Sequence, residues 1–146
     1  MNYLDCVPTF KEGLLFYPKK SELNEPCPDA IMALEDWLFA YFNGENAEIC
    51  FPLNPKGTEF RLMIWKMLRE IPYGETITYS ELAEKAAAEM GKPCMSAQAV
   101  GGALGRNPIP IVIPCHRVIG KNGSLTGFAW GIDVKERLLK IEGVLK

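Results

Sequence analysis

The stretch Ile111-Val112-Ile113-Pro114-Cys115-His116-Arg117-Val118-Ile119 sets a thiol, the chain's only histidine and a guanidinium side by side inside an apolar run. Ile109 to Ile113 reads as an extended, buried segment, and Pro114 restricts the backbone just before the cysteine. A thiol is a strong nucleophile only as the thiolate, and a neighbouring imidazole or positive charge favours that form. Neighbours on an extended segment point to opposite faces. His116 is therefore expected to take the Cys115 proton through a bridging water. Cys6, Cys27, Cys50 and Cys94 have no such surroundings and read as inert thiols.

At 146 residues the chain holds one or two small domains with a core of their own. It contains no run of about 18 apolar residues, so no transmembrane helix and no membrane partner are expected. Met1-Asn2-Tyr3-Leu4-Asp5 lacks the basic start of a secretory leader. Five cysteines at irregular spacing do not form a disulfide framework, and free thiols in a reducing cytoplasm are expected. Charge is uneven. Residues 1–58 carry four basic and nine acidic side chains, a net of −5, and residues 59–146 carry twelve and nine, a net of +3, together the −2 of the whole chain. The C-terminal part is mildly basic, as a nucleic-acid-binding module should be.

The chain divides near residue 56. Residues 1–27 are interrupted by Pro8, Gly13, Pro18 and Pro26, with one short strand around Leu14 to Tyr17. Pro28-Asp29 opens a helix whose positions Ile31, Leu34, Leu38, Tyr41 and Phe42 repeat at helical spacing, ended by Asn43-Gly44. Phe51 to Lys56 reads as a linker. Thr58 caps the next helix, with Phe60, Ile64, Met67 and Leu68 on one face. Thr78 and Glu81 form a capping box for a helix running toward Met90, and Ser96 caps a short helix from Ala97 to Leu104. That pair is a helix-turn-helix pattern. Asp133 and Glu136 have the same capping-box spacing before Leu138, Leu139 and Ile141, with Gly143 as the stop. The expected fold is α/β in the α+β sense. Residues 1–56 form a reduced N-terminal part with a short strand and one helix, and residues 57–146 a mostly helical domain like a winged helix-turn-helix.

Pro114-Cys115-His116-Arg117-Val118 resembles the active-site signature of the O6-alkylguanine-DNA alkyltransferases, also called methylated-DNA–protein-cysteine methyltransferases. Further blocks follow the family order: Gly57-Thr58-Glu59-Phe60, Ile71-Pro72-Tyr73-Gly74-Glu75-Thr76, Thr78-Tyr79-Ser80-Glu81-Leu82-Ala83, Ala99-Val100-Gly101-Gly102-Ala103, Asn107-Pro108 and Thr126-Gly127-Phe128-Ala129-Trp130-Gly131. The resemblance implies DNA repair by a single, irreversible transfer of the alkyl group from O6-alkylguanine in double-stranded DNA to Cys115, after minor-groove binding and base flipping. No metal, nucleotide or organic cofactor is implied. A monomer in the cytoplasm, nucleoid-associated in a prokaryote, is expected.

The resemblance also implies roles. Cys115 is the nucleophile, and His116 acts through a water while Glu142 holds its other nitrogen. Read without the family, Glu142 would be an ordinary exposed residue at a helix end. Tyr79 contacts the phosphate beside the lesion and can protonate the departing guanine, a poor leaving group unless its charge is stabilised. Asn107 fixes the turn that presents Cys115, and Arg117 braces the motif. Leu125, Phe128, Ala129 and Trp130 line the base pocket, Trp130 standing where some relatives have glycine. Arg61, Tyr79, Ser80, Ala97, Gln98, Gly101, Gly102 and Lys121 face DNA. Gln98 departs from the family arginine that fills the gap left by the flipped nucleotide. The small residues of this helix suit either a narrow groove or tight helix packing. The alternative reading is a non-catalytic alkylated-base-binding protein of the alkyltransferase-like type, which typically has tryptophan at the cysteine position.

Overall fold

Thr58, Thr78 and Ser96 each start a helix. Each is extended, and its side-chain oxygen accepts the backbone N–H three residues on, from Arg61, Glu81 and Ala99, satisfying a donor that the first turn leaves unpaired. At Thr78 the box closes as expected, with the Glu81 carboxylate accepting the Thr78 N–H at 2.8 Å. The computed structural model describes residues 9–11, 14–16 and 28–146. Cys6, Cys27 and Tyr17 lie outside the described residues.

The elements run β1 (Thr9–Lys11), β2 (Leu14–Phe16), α1 (Pro28–Phe42), α2 (Glu59–Arg69), β3 (Ile77–Thr78), α3 (Tyr79–Glu89), α4 (Ala97–Leu104), β4 (Val118–Ile119) and α5 (Ile132–Ile141). The fold is α+β. β1 and β2 pair antiparallel, with Thr9 opposite Phe16. The sequence pattern located β2 but not β1. β3 and β4 pair parallel, Ile77 with Val118 and Thr78 with Ile119. This short pair matters for the site, because it lays the start of α3 beside the segment that follows Cys115.

Leu34, Trp37, Leu38 and Tyr41 of α1 share one buried cluster with Ile64, Trp65 and Leu68 of α2, with the apolar faces of α3 and α4, and with Leu138 of α5. Trp65 also donates its indole N–H to the Ala103 carbonyl at 2.9 Å, tying α2 to α4. α3 and α4 form the expected helix-turn-helix.

Two local expectations fail. Ile109 to Ile113 is not extended but a tight turn. Ile113 N–H donates to the Ile109 carbonyl at 2.9 Å, and Ile111 sits at φ +71°. Pro108 and Pro110 have no N–H to give a strand ladder, and the Asn107 side chain supplies the turn's hydrogen bonds instead. Asp133 and Glu136 form no capping box. α5 begins after Gly131, at φ +98° and with no side-chain cap. Glu136 pairs instead with Lys140 at 2.7 Å, one turn along the helix.

Candidate active site

Asn107 holds the turn beneath the thiol from both ends. Its amide donates to the Ile113 carbonyl at 2.8 Å and its carbonyl accepts the Ile109 N–H at 3.0 Å. The asparagine side chain thus imitates a peptide group, and it is buried. The chain then enters one turn of 3-10 helix, Cys115–Arg117, not the extended run expected from the sequence. All three side chains of that turn are buried, so Cys115 and His116 do not face opposite ways across a strand.

A buried arginine and histidine need an anionic partner, and Glu142 provides it. It stands just past the end of α5 and is 6% exposed, against the bland expectation of a solvated helix end. His116 Nε2 lies 2.5 Å from Glu142 Oε1. Arg117 donates Nε–H to Oε2 at 2.9 Å and a terminal N–H to Oε1 at 3.0 Å, a two-point grip. Its other terminal nitrogen donates to the Ile71 carbonyl at 2.6 Å. Gly74 N–H reaches Oε2 at 3.2 Å. Gly74 has φ +81°, and a Cβ there would stand 3.3 Å from the Glu142 carbonyl oxygen, so a side chain is doubly disfavoured.

With an ionised carboxylate against Nε2, that nitrogen carries the hydrogen and Nδ1 keeps the lone pair. No protein group among the described residues bonds His116 Nδ1, although it is buried. Burial pushes the Glu142 pKa up, but the hydrogen bonds and charges of His116 and Arg117 outweigh that and hold it at about 2. Burial lowers the His116 pKa, with Glu142 opposing and the cations Arg117 and Lys135 adding to the fall. Burial drives the Cys115 thiol up to about 11, against the Asn107 side chain, the charge of Lys135 and nearby backbone N–H groups. At rest the pair is therefore a neutral thiol beside a neutral imidazole.

Sequence reasoning missed Lys135 and Tyr41. Lys135 is fully buried on α5. Its ammonium donates to the Val118 carbonyl, and to the Thr126 carbonyl at 3.3 Å. It also lies over the rings of Tyr79 and Phe128, at 5.6 and 5.8 Å. Burial lowers its pKa to about 8, with Cys115 opposing. The signal was present, since Lys135, Leu138, Leu139 and Glu142 fall at i, i+3, i+4 and i+7, one helical face. Tyr41 lay on the apolar stripe of α1 and read as core. Its hydroxyl in fact donates to Glu142 Oε1 at 2.8 Å.

Tyr79, the first residue of α3, donates its hydroxyl to the Thr126 carbonyl at 2.9 Å. Burial, then the nearby Cys115, raises its pKa. Phe128 and Trp130 meet edge to face at 5.3 Å. They are half-buried, as is Leu125, while Ala129 is exposed. Ser80, Ala97, Gln98, Gly102 and Lys121 are exposed, and Arg61 and Gly101 half-exposed. A Cβ built on Gly101 or Gly102 would meet nothing within 4 Å. Helix packing therefore does not account for these two glycines, and Val100, Ala103 and Leu104 carry the packing of α4.

The fold and site together define a helix-turn-helix protein with a buried cysteine, histidine and glutamate set against its first helix. The chain belongs to the 6-O-methylguanine DNA methyltransferase family, whose DNA-binding-domain model matches residues 59–144. A methylated-DNA–protein-cysteine methyltransferase of Methanosarcina acetivorans is 56% identical over 106 residues, covering 73% of this chain and 65% of the relative. One from Mycobacterium tuberculosis is 48% identical over 117 residues, covering 80% of this chain and 68% of its own. A crystal structure of Mycobacterium tuberculosis OGT in complex with DNA is 44% identical with a TM-score of 0.72, covering 88% of this chain and 74% of that one. The chain thus spans a little under two-thirds of the length of the Methanosarcina acetivorans relative.

Proposed function

We propose that this protein repairs O6-alkylguanine in duplex DNA by moving the alkyl group onto its own Cys115. One observation carries the reading: the His116 imidazole, in the residue after Cys115 and backed on Nε2 by Glu142 at 2.5 Å, keeps a buried Nδ1 free of protein partners among the described residues. Nδ1 takes the thiol proton through a bridging water, and Glu142 stabilises the imidazolium that results. The sulfur attacks the alkyl carbon in line. The new S–C bond forms as the bond from that carbon to O6 breaks, and the guanine anion leaves with the electron pair. A proton from the Tyr79 hydroxyl neutralises the guanine, and the ammonium of Lys135 steadies the thiolate beforehand. The thioether product is stable, so each molecule reacts once.

The exposed face of α4, with its bare Gly101 and Gly102, supports binding in the minor groove, and the lesion is flipped out to reach the thiol. Gln98 stands where a cation would stack into the vacated space, so extrusion relies more on hydrogen bonding here. The protein acts as a monomer in the cytoplasm. The test is mass spectrometry after mixing the full chain with duplex containing O6-methylguanine. A gain of one methylene on the peptide bearing Cys115, with guanine restored, is the expected result. Lesion-selective binding with no gain would place the chain among non-catalytic lesion binders.

A further inference from the structure

Tyr41 reaches the site from α1, outside the 59–144 segment matched by the family model. The residue is 1% exposed. Its hydroxyl donates to Glu142 Oε1 at 2.8 Å and lies 3.3 Å from His116 Nε2. Trp37 stacks on its ring at 5.3 Å and Tyr73 meets the ring edge to face at 6.0 Å, so the phenol has little freedom to turn away. Oε1 is thus shared among the Tyr41 hydroxyl, the His116 Nε2–H and one Arg117 N–H.

We propose that Tyr41 is a positioning residue of the His116–Glu142 pair, and that its hydroxyl, by sharing Oε1, sets how strongly the carboxylate draws the Nε2 proton. The carboxylate does not need Tyr41 to stay in place, because Arg117 grips both oxygens and Gly74 N–H holds Oε2. What Tyr41 changes is charge. A hydrogen bond to an anion withdraws electron density from it, leaving less to stabilise an imidazolium. Burial and the Glu142 carboxylate raise the phenol's own pKa, so it remains a donor throughout the working range. The titratable and charged groups around the His116–Glu142 pair are Tyr41 from α1, Tyr73 from the turn after α2, Cys115 and Arg117 on either side of His116 in the chain, and Lys135 from α5. Only the two tyrosines can be altered without adding or removing a formal charge close to His116 and without touching the proposed nucleophile, and of these Tyr41 donates to Glu142 Oε1 whereas Tyr73 donates to the Ile141 carbonyl at 3.1 Å.

His116 is the chain's only histidine, so imidazole nitrogen resonances report on it without ambiguity. In the full-length Tyr41→Phe variant, Oε1 loses a donor. The His116 pKa should rise by about half a unit or more, and its Nε2 proton should move downfield. A fluorinated tyrosine at position 41 is a stronger donor of nearly the same size, and both readouts should move the opposite way. If the phenylalanine variant does not fold, the fluorinated one carries the test. Unchanged resonances, or shifts of the same sign in both proteins, overturn the proposal, even if stability falls. On the proposed alkyl-transfer reading, the acid limb of the rate profile should follow the His116 pKa. A wild-type chain that takes up no alkyl group would sink that reading, while the titration still judges Tyr41.

Discussion

Glu142 accepts five hydrogen bonds among the described residues: from Tyr41, Gly74, His116 and twice from Arg117. They come from α1, from the turn after α2, from the Cys115 segment and from nowhere on α5 itself. The carboxylate therefore ties four parts of the chain together while it serves His116. Removing its charge strands a buried guanidinium, a loss of about 3–5 kcal/mol for a broken buried pair. Glu142→Gln should lower stability by that order in urea unfolding. The pH dependence has a definite sign. The folded pKa is held at about 2 against an ordinary 4.5. Its stabilising contribution is fully present above 4.5 and disappears as pH falls toward 2. The thermal midpoint of the wild type should therefore drop across that window more steeply than that of Glu142→Gln. Cys115→Ala should keep lesion binding and take up no alkyl group in the mass measurement.

At the scale of the element, α4 has two unlike faces. Val100, Ala103 and Leu104 are buried against the core, whereas Gly101 and Gly102 have open space above them. Glycine inside a helix costs roughly 1 kcal/mol relative to alanine, and nothing among the described residues requires it here. A groove that must be approached closely does require it. Gly102→Leu should accordingly fold as well as the wild type or slightly better, by thermal melting, and lose about tenfold or more in affinity for duplex DNA, roughly 1.4 kcal/mol or more. Tighter or unchanged binding would remove α4 from the interface. The capping residues of this element and of α2 and α3 were legible in the sequence because a cap is a local event. One side chain meets one backbone N–H three residues away, and Thr58, Thr78 and Ser96 do this regardless of the rest of the fold. Gly131 shows the opposite case. The Asp133 and Glu136 spacing was right for a cap, but the chain enters α5 through a positive φ that put the start of the helix elsewhere.

At the scale of the molecule, α1 does more than cover the helices that follow it. Its buried side chains belong to the same cluster as those of α2 to α5, and Tyr41 places a hydroxyl on the Glu142 carboxylate. Trp37 holds this arrangement. It is 8% exposed, stacks on Tyr41 and donates to the Ala47 carbonyl at 3.0 Å. Trp37→Ala should cost about 3–5 kcal/mol in chemical unfolding, the range for deleting a large buried aromatic. It should also loosen the Tyr41 contact and broaden the His116 resonance. A stable variant with an unchanged His116 signal would show that α1 is only a cover.

The amino-acid sequence by itself determined what depends on near neighbours: the capped helices, the glycine stops, the helix-turn-helix, and the thiol, imidazole and guanidinium in consecutive positions. It also carried the family, because Cys115-His116-Arg117 and the blocks around it keep their order. The resemblance implied Glu142 at the site, but only the tertiary structure brought Lys135 and Tyr41 to it and showed what Glu142 bonds. Glu142, Lys135 and Tyr41 stand 26, 19 and 75 positions from His116. Nothing local distinguishes a buried carboxylate from a solvated one at a helix end, or a tyrosine that packs from one that donates. Burial made that distinction. A charge taken from water must find partners wherever the fold brings them, and here those partners came from opposite ends of the chain.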